Sequence, residues 1–350
     1  MTTAARQREA EQVGIAYQAA LAYLGVQAVQ EALSMWQDMP AIFRPAQASA
    51  WLARIVDMVL ARRMAARLLA MAYYRLARAL RTGRTIADPA RSTLASVDLV
   101  VLRREFVALV GDDSGYRPGS DNDSIPVEKL PSLVNDHAAL EADAEDEAEE
   151  VLLNLGPNNL LRKVREIDTA RPADEVDARR EQAHIEAGTR SAAAVERIVM
   201  NGARSATWSA AQRDTRVVGY ARVSQSGTPC GFCAMLISRG AVYKTKLTAT
   251  YSDGDQYHDN CHCVAIELYA ESDYASERFA LNREYQDLWP EVTKGHSGKD
   301  ALRVWRRYFR DQQAASALAA RSTPNALEAT PIERQRFDAG TADRDRVRVR

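Results

Sequence analysis

Val217-Val218-Gly219-Tyr220-Ala221-Arg222-Val223, Pro229-Cys230-Gly231-Phe232-Cys233, Ala241-Val242-Tyr243-Lys244 and His258-Asp259-Asn260-Cys261-His262-Cys263-Val264-Ala265-Ile266-Glu267-Leu268 mark where a helical chain changes character. Residues 217–223, 241–244 and 263–268 are short and rich in β-branched or aromatic residues, which predicts three strands. Gly227 and Pro229 turn the chain, and Cys230 to Ile237 fits a helical turn or short helix. Two pairs at x₂ spacing, Cys230/Cys233 and His258/Cys261, stand 24 residues apart. Such spacing lets a tight turn aim both side chains at one point. Two turns of this kind can close a tetrahedron around zinc, with Zn–S about 2.3 Å and Zn–N about 2.0–2.1 Å. Thiolate with imidazole suits zinc, and four protein ligands leave no open position for catalytic water, so the expected role is structural. Cys263 rivals Cys261 for the fourth place. In a strand, positions 261 and 263 share a face, and His262 points to the other. The ligand set is therefore drawn from Cys230, Cys233, His258, Cys261 and Cys263.

A redox reading competes with zinc. A strand followed by Cys-x-x-Cys entering a helix has the form of a thiol oxidoreductase using Cys230 and Cys233. It leaves Cys261 and Cys263 without a role, and the flanks lack a βαβ rhythm.

Outward from this module the pattern is helical. Ala10, Val13, Tyr17, Leu21, Leu24, Ala28 and Leu33 recur at roughly 3.6 spacing and predict a helix over 6–38, broken by Pro40 and Pro45. A second helix is expected over 46–80, stopping at Gly83. Arg62, Arg63, Arg67, Arg75, Arg78, Arg81 and Arg84 lie in or just after it. They read either as a solvated face with stems on apolar neighbours or as a docking face for an acidic partner or DNA. A short helix is expected within 85–110. The Asp/Ser/Gly/Pro-rich stretch 111–131 reads as a linker or exposed loop, and the acidic run 136–150 as a solvated helix or flexible segment. That run has no spaced Asp-x-Asn-x-Asp-Gly loop for calcium. Helix returns over 173–213 and 271–320, interrupted near Pro290, Gly295 and Gly298. The expected fold is mainly α with a small α+β C-terminal module. Its divisions are a helical N-terminal domain (1–110), a linker (111–150), a domain holding the Cys/His knuckle (151–320) and a disordered tail (321–350).

Composition narrows the function. Lys and Arg number 46 against 47 Asp and Glu, so the chain is no polycation, and any nucleic-acid contact must come from a local patch. The clearest such patch is Arg303, Arg306, Arg307 and Arg310, with Trp305, Tyr308 and Phe309 among them. All four cysteines fall between 230 and 263, too local for a disulfide framework. Arg54, Asp57, Arg62 and Arg63 interrupt the most apolar region, and the start lacks a signal-peptide stretch, so a soluble protein made in a cytoplasm is expected. Nucleotide-binding, zinc-protease and serine-hydrolase motifs are absent. His137, His184 and His296 sit alone in polar surroundings and read as surface histidines.

Asp214 to Val223, Pro229 to Leu236, Ser238 to Tyr243 and His258 to Cys263 together resemble the Mu F-like head-morphogenesis domain, and more narrowly the minor capsid proteins of actinobacterial siphophages. Asn201-Gly202-Ala203-Arg204, the stretch Ala72 to Gly83, and Leu288-Trp289-Pro290-Glu291-Val292-Thr293 followed by Ser297 to Leu302 support the same resemblance. It implies a virion protein inside the head, present in few copies near the portal, which aids procapsid assembly and DNA packaging or ejection. The implied partners are portal protein, scaffold or major capsid protein, with no membrane. A capsid maturation protease is the alternative attached to such proteins, and nothing local here singles out a nucleophile with its base.

Overall fold

A computed structural model describes residues 3–41, 44–88, 94–130, 133–224, 229–243 and 263–322. It is mainly helical, with two three-stranded sheets. The described residues fall into two compact units: residues up to 224 together with 241–243 and 263–279, and residues 229–240 with 280–322.

The first unit is organised around one helix. α1 (Thr3–Gln37) and α2 (Pro45–Thr82) occupy the two helical stretches expected from periodicity. Pro45 opens α2, where its missing N–H costs nothing and its φ is already helical. Gly83 closes it at φ 68°, returning its N–H to the Ala79 carbonyl at 2.9 Å. Every residue from Leu69 to Leu80 is buried, because α2 has neighbours on several sides. These are α1, α3 (Leu99–Val110), α4 (Leu133–Leu155) and α6 (Ala173–Arg213). The short α5 (Pro157–Arg165) packs with α4 and α6.

Small residues on α6 set how closely these helices approach. A Cβ at Gly202 would lie 2.4 Å from the backbone oxygen of Arg63, and one at Gly188 would lie 2.3 Å from Trp36. The Trp36 indole donates to the His184 carbonyl at 2.9 Å and packs edge-on against Trp51. Glycine inside a helix costs about 1 kcal/mol relative to alanine, so close packing, not propensity, explains these two. Gly202→Ala is therefore expected to destabilise by about 1–3 kcal/mol, measured by urea unfolding. A gain in stability would mean that α2 and α6 do not pack this closely.

Two stretches differ from expectation. Residues 85–110 hold β1 (Thr85–Ile86) and β2 (Ser96–Asp98) ahead of α3, and the stretch read as a linker contains β3 (Ser124–Glu128). β3 is the middle strand, parallel to β1 and antiparallel to β2. Strands of two and three residues are too short to show alternation, and Pro126 argues against a central strand. The local geometry resolves the conflict. The Val127 N–H turns toward β2 (2.9 Å to the Ala95 carbonyl), so the Pro126 nitrogen faces the other side, where β1 pairs only from Val127. The acidic run is helix α4. Ala144, Ala148 and Leu152 form its buried stripe, while Asp143, Glu145, Asp146, Glu149 and Glu150 are exposed. Segment 111–150 is thus built into the first unit, not strung between two others.

The second sheet, also in the first unit, has order β5-β4-β6 and is antiparallel throughout. β4 (Gly219–Ser224), β5 (Ala241–Tyr243) and β6 (Cys263–Leu268) lie on the three predicted strands. Gly219, Ala221 and Val223 are the buried alternate positions of β4.

The second unit comprises α7 (Gly231–Ile237), α8 (Ala280–Val292) and α9 (Gly298–Ser322). Trp305 is fully buried, with Tyr285, Trp289 and Phe309 rings around it. α8 runs through Pro290, and the breaks come at Gly295 (φ 80°) and Gly298 (φ 52°). The Asn282 amide donates to the Ile237 carbonyl at 3.4 Å, tying α8 to the end of α7.

Candidate functional site

The Cys-x₂-Cys pair sits at the start of α7. Cys230 is the N-cap, in extended backbone, and its sulfur accepts the Cys233 N–H at 3.5 Å. The Ala234 N–H bonds the Cys230 carbonyl at 2.8 Å, which closes the first turn. Gly231 lets α7 approach α9 closely, since a Cβ there would be 3.2 Å from Arg306 Cα. The two thiols are not bridged to each other. Cys230 is half-buried and Cys233 is buried. Two sulfurs on one helical turn, one of them receiving a backbone N–H, suit half of a tetrahedral thiolate site.

Cys263 begins β6, buried, opposite Ser224 of β4, and its carbonyl accepts Arg204 Nε at 3.1 Å. Its neighbours explain the burial: Val264, Ile266, Glu267 and Leu268 are buried too, so β6 has no solvent face. His258, Cys261 and His262 lie outside the described residues, as does the expected tail beyond residue 322. Among the described residues no group of three or more metal-type ligands is assembled.

The four α9 arginines are brought together. Arg303, Arg306, Arg307 and Arg310 are all exposed, opposite the buried Ala301, Trp305 and Phe309. The arginines of α2, and Arg84 just after it, meet acidic side chains elsewhere in the first unit. Arg62 pairs with Glu31 at 3.0 Å, Arg75 with Glu105 at 2.5 Å and Arg81 with Asp273 at 2.9 Å. Arg63 and Arg67 share Glu141 at 3.4 and 3.9 Å, and Arg84 is 3.6 Å from Glu128. These side chains hold the first unit together.

Arg78 anchors the strongest of these networks. Its Nε and Nη2 donate to the two Asp214 oxygens at 2.6 and 3.0 Å, and Nη2 also reaches Glu128. The Tyr74 hydroxyl donates to Asp214 at 2.9 Å, and Arg216 grips Glu128 at 2.8 and 3.0 Å. Burial alone would push the Asp214 carboxyl up. The Arg78 bonds, the Arg216 N–H, the Arg78 charge and the Tyr74 hydroxyl outweigh it and hold the carboxyl below the usual range. Glu128 is held at about 2, chiefly by Arg216 against an opposing burial effect. A second network joins Glu9 to Arg103 at 2.6 Å, Arg103 to Asp121 at 2.7 Å and Asp121 to Arg6 at 2.6 Å.

Sequence reasoning missed the buried acids Glu9, Glu196, Asp214 and Glu267, and of these Glu267 is the one whose carboxyl is raised. Glu267 of β6 lies among Tyr73, Tyr74, Tyr269 and Arg278, and burial raises its carboxyl despite its own backbone N–H, Arg278 and Tyr73. A perturbed carboxyl suggests chemistry only when substrate can reach it, and this one is sealed in the core. The open depression lined by Gln212, Asp214, Val217 and Glu271 offers carboxylates engaged elsewhere or exposed. His184 is not a plain surface residue, since its ring packs near Trp36 and its Nε2 lies 2.7 Å from the Met39 carbonyl oxygen. His296 is exposed.

Residues 161–288 match the family model described as VG15 protein. This is a phage protein family, so the chain is similar to phage proteins from α5 into α8, through the Cys/His string. No curated protein and no solved structure matches the chain. No described helix is long and apolar enough to cross a membrane.

Proposed function

We propose that this chain is a minor head protein of a tailed phage, of the Mu F-like type, acting as a structural component near the portal. One observation carries the reading. The phage-family match covers 161–288, the stretch that also holds the strings at 214–223, 229–243 and 258–263 on which the Mu F-like resemblance rests. Zinc held by Cys230, Cys233, His258 and either Cys261 or Cys263 would hold the chain around the knuckle compact. The geometry at Cys230 and Cys233 supports that half of the site. Portal protein, scaffold or major capsid protein are the proposed partners, within the virion head and, during assembly, the host cytoplasm. The α2 arginines are engaged internally, so docking by the N-terminal helices would use other surfaces.

A nonsense allele in the encoding phage tests the structural role against the protease alternative. The expected result is defective head assembly or packaging, with the termini of the other head proteins unchanged. Head proteins that retain uncleaved termini in the mutant would overturn the structural reading and support a maturation protease.

A further inference from the structure

We propose that the exposed face of α9 binds the phosphate backbone of double-stranded nucleic acid. At 100° per residue, Lys299, Arg303, Arg306, Arg307 and Arg310 fall within an arc of about 100° and along about 16 Å of helix. All five are exposed. The cations are held in line because the opposite side of the helix is fixed by Ala301, Trp305 and Phe309, and because the Arg306 backbone packs on Gly231. Asp300 and Asp311 lie at one edge of the stripe, and the Asp300 pair with Arg303 at 3.1 Å is exposed on both sides, so it competes weakly with a phosphate.

Charge is also segregated along the chain. Residues 229–240 and 280–322 carry nine Lys and Arg against five Asp and Glu, whereas the whole chain has 46 against 47. The field at this face is therefore positive although the molecule is not. The aromatics of α9 do not offer a stacking platform for unpaired bases. Trp305 and Phe309 are buried, and Tyr308 lies against both rings. A rigid row of cations without exposed rings fits the regular phosphates of a duplex better than a single strand.

The test uses the full chain and a fluorescent 30-base-pair duplex of arbitrary sequence, with affinity read by anisotropy from 50 to 200 mM NaCl. Five phosphate contacts give a slope of log K against log salt near −4.5, about a 500-fold loss across that range. Replacing Arg303, Arg306, Arg307 and Arg310 together by Gln is expected to weaken binding at 50 mM by about 100-fold or more and flatten the slope to about −1. The same four positions changed to Lys should retain most of the affinity and the slope. An equal charge removal elsewhere, Arg54, Arg171, Arg179 and Arg180→Gln, should change affinity by less than about fivefold. Thermal melting confirms that each variant is folded. No duplex binding at 50 mM, equal losses in the two Gln sets, or binding of heparin without the duplex would each overturn the proposal. These outcomes are read on isolated protein and do not depend on the head-protein reading.

Discussion

Asp214→Ala is expected to destabilise the first unit by about 3–5 kcal/mol, seen as a lower midpoint in urea unfolding. The side chains of Arg78 and Asp214 are 1% and 0% exposed. Removing the acid leaves a guanidinium in the core with Glu128 as its remaining acidic partner, and it also takes away the carboxylate that accepts the Tyr74 hydroxyl. The cost comes from that uncompensated charge more than from the net worth of the pair. Arg78→Met combined with Asp214→Leu should therefore cost less than the two single changes added together. Additive losses would contradict the pairing. The same network fixes a pH dependence. Asp214 and Glu128 are depressed in the folded state, Glu128 to about 2. The stability they supply is complete above their unfolded values near 4. It is lost as pH falls through the folded values. The gap between the native chain and Asp214→Ala should thus be constant from pH 5 to 7 and shrink between about pH 4 and 2.

Cys230→Ser should abolish zinc binding and lower the melting temperature by about 10 °C or more, because metal binding in such modules is folding free energy. The native chain is expected to hold one zinc, measured by elemental mass spectrometry on purified protein. Cys261→Ser and Cys263→Ala separate the rival fourth ligands, since the true ligand loses the metal and the other variant keeps it. Cys263→Ala carries its own packing cost, because that side chain is buried. Metal content is therefore the deciding readout there, not stability. A metal-free native protein whose Cys230 and Cys233 cycle between dithiol and disulfide would contradict the zinc site and favour redox chemistry.

Much of the helical frame was legible because α1, α2 and α6 are long enough for apolar periodicity to emerge. β4, β5 and β6 were legible through β-branched runs between Gly and Pro. The first sheet was not, since β1 and β2 have too few residues to alternate and β3 contains Pro126. The acidic composition of α4 hid the alanine stripe that packs it. Near the candidate site, the short helix expected over 230–237 was legible, and Cys230 and Cys233 fall at its N-cap and first turn. The ion-pair networks had a readable sign: Arg75, Arg78 and Arg81 recur at three-residue spacing within an apolar run that no solvated face explains. Their partners, Glu105, Asp214 and Asp273, are 30 to 192 residues away in sequence, and only the fold brings them together.

The most direct measurement of the central claim is quantitative mass spectrometry of gradient-purified particles from the encoding phage, with portal and major capsid protein as internal standards. The expected result is a few copies of this chain per head, at a fixed ratio to portal and retained after tails are removed. A chain confined to the soluble lysate, or present only in tail fractions, would contradict the account.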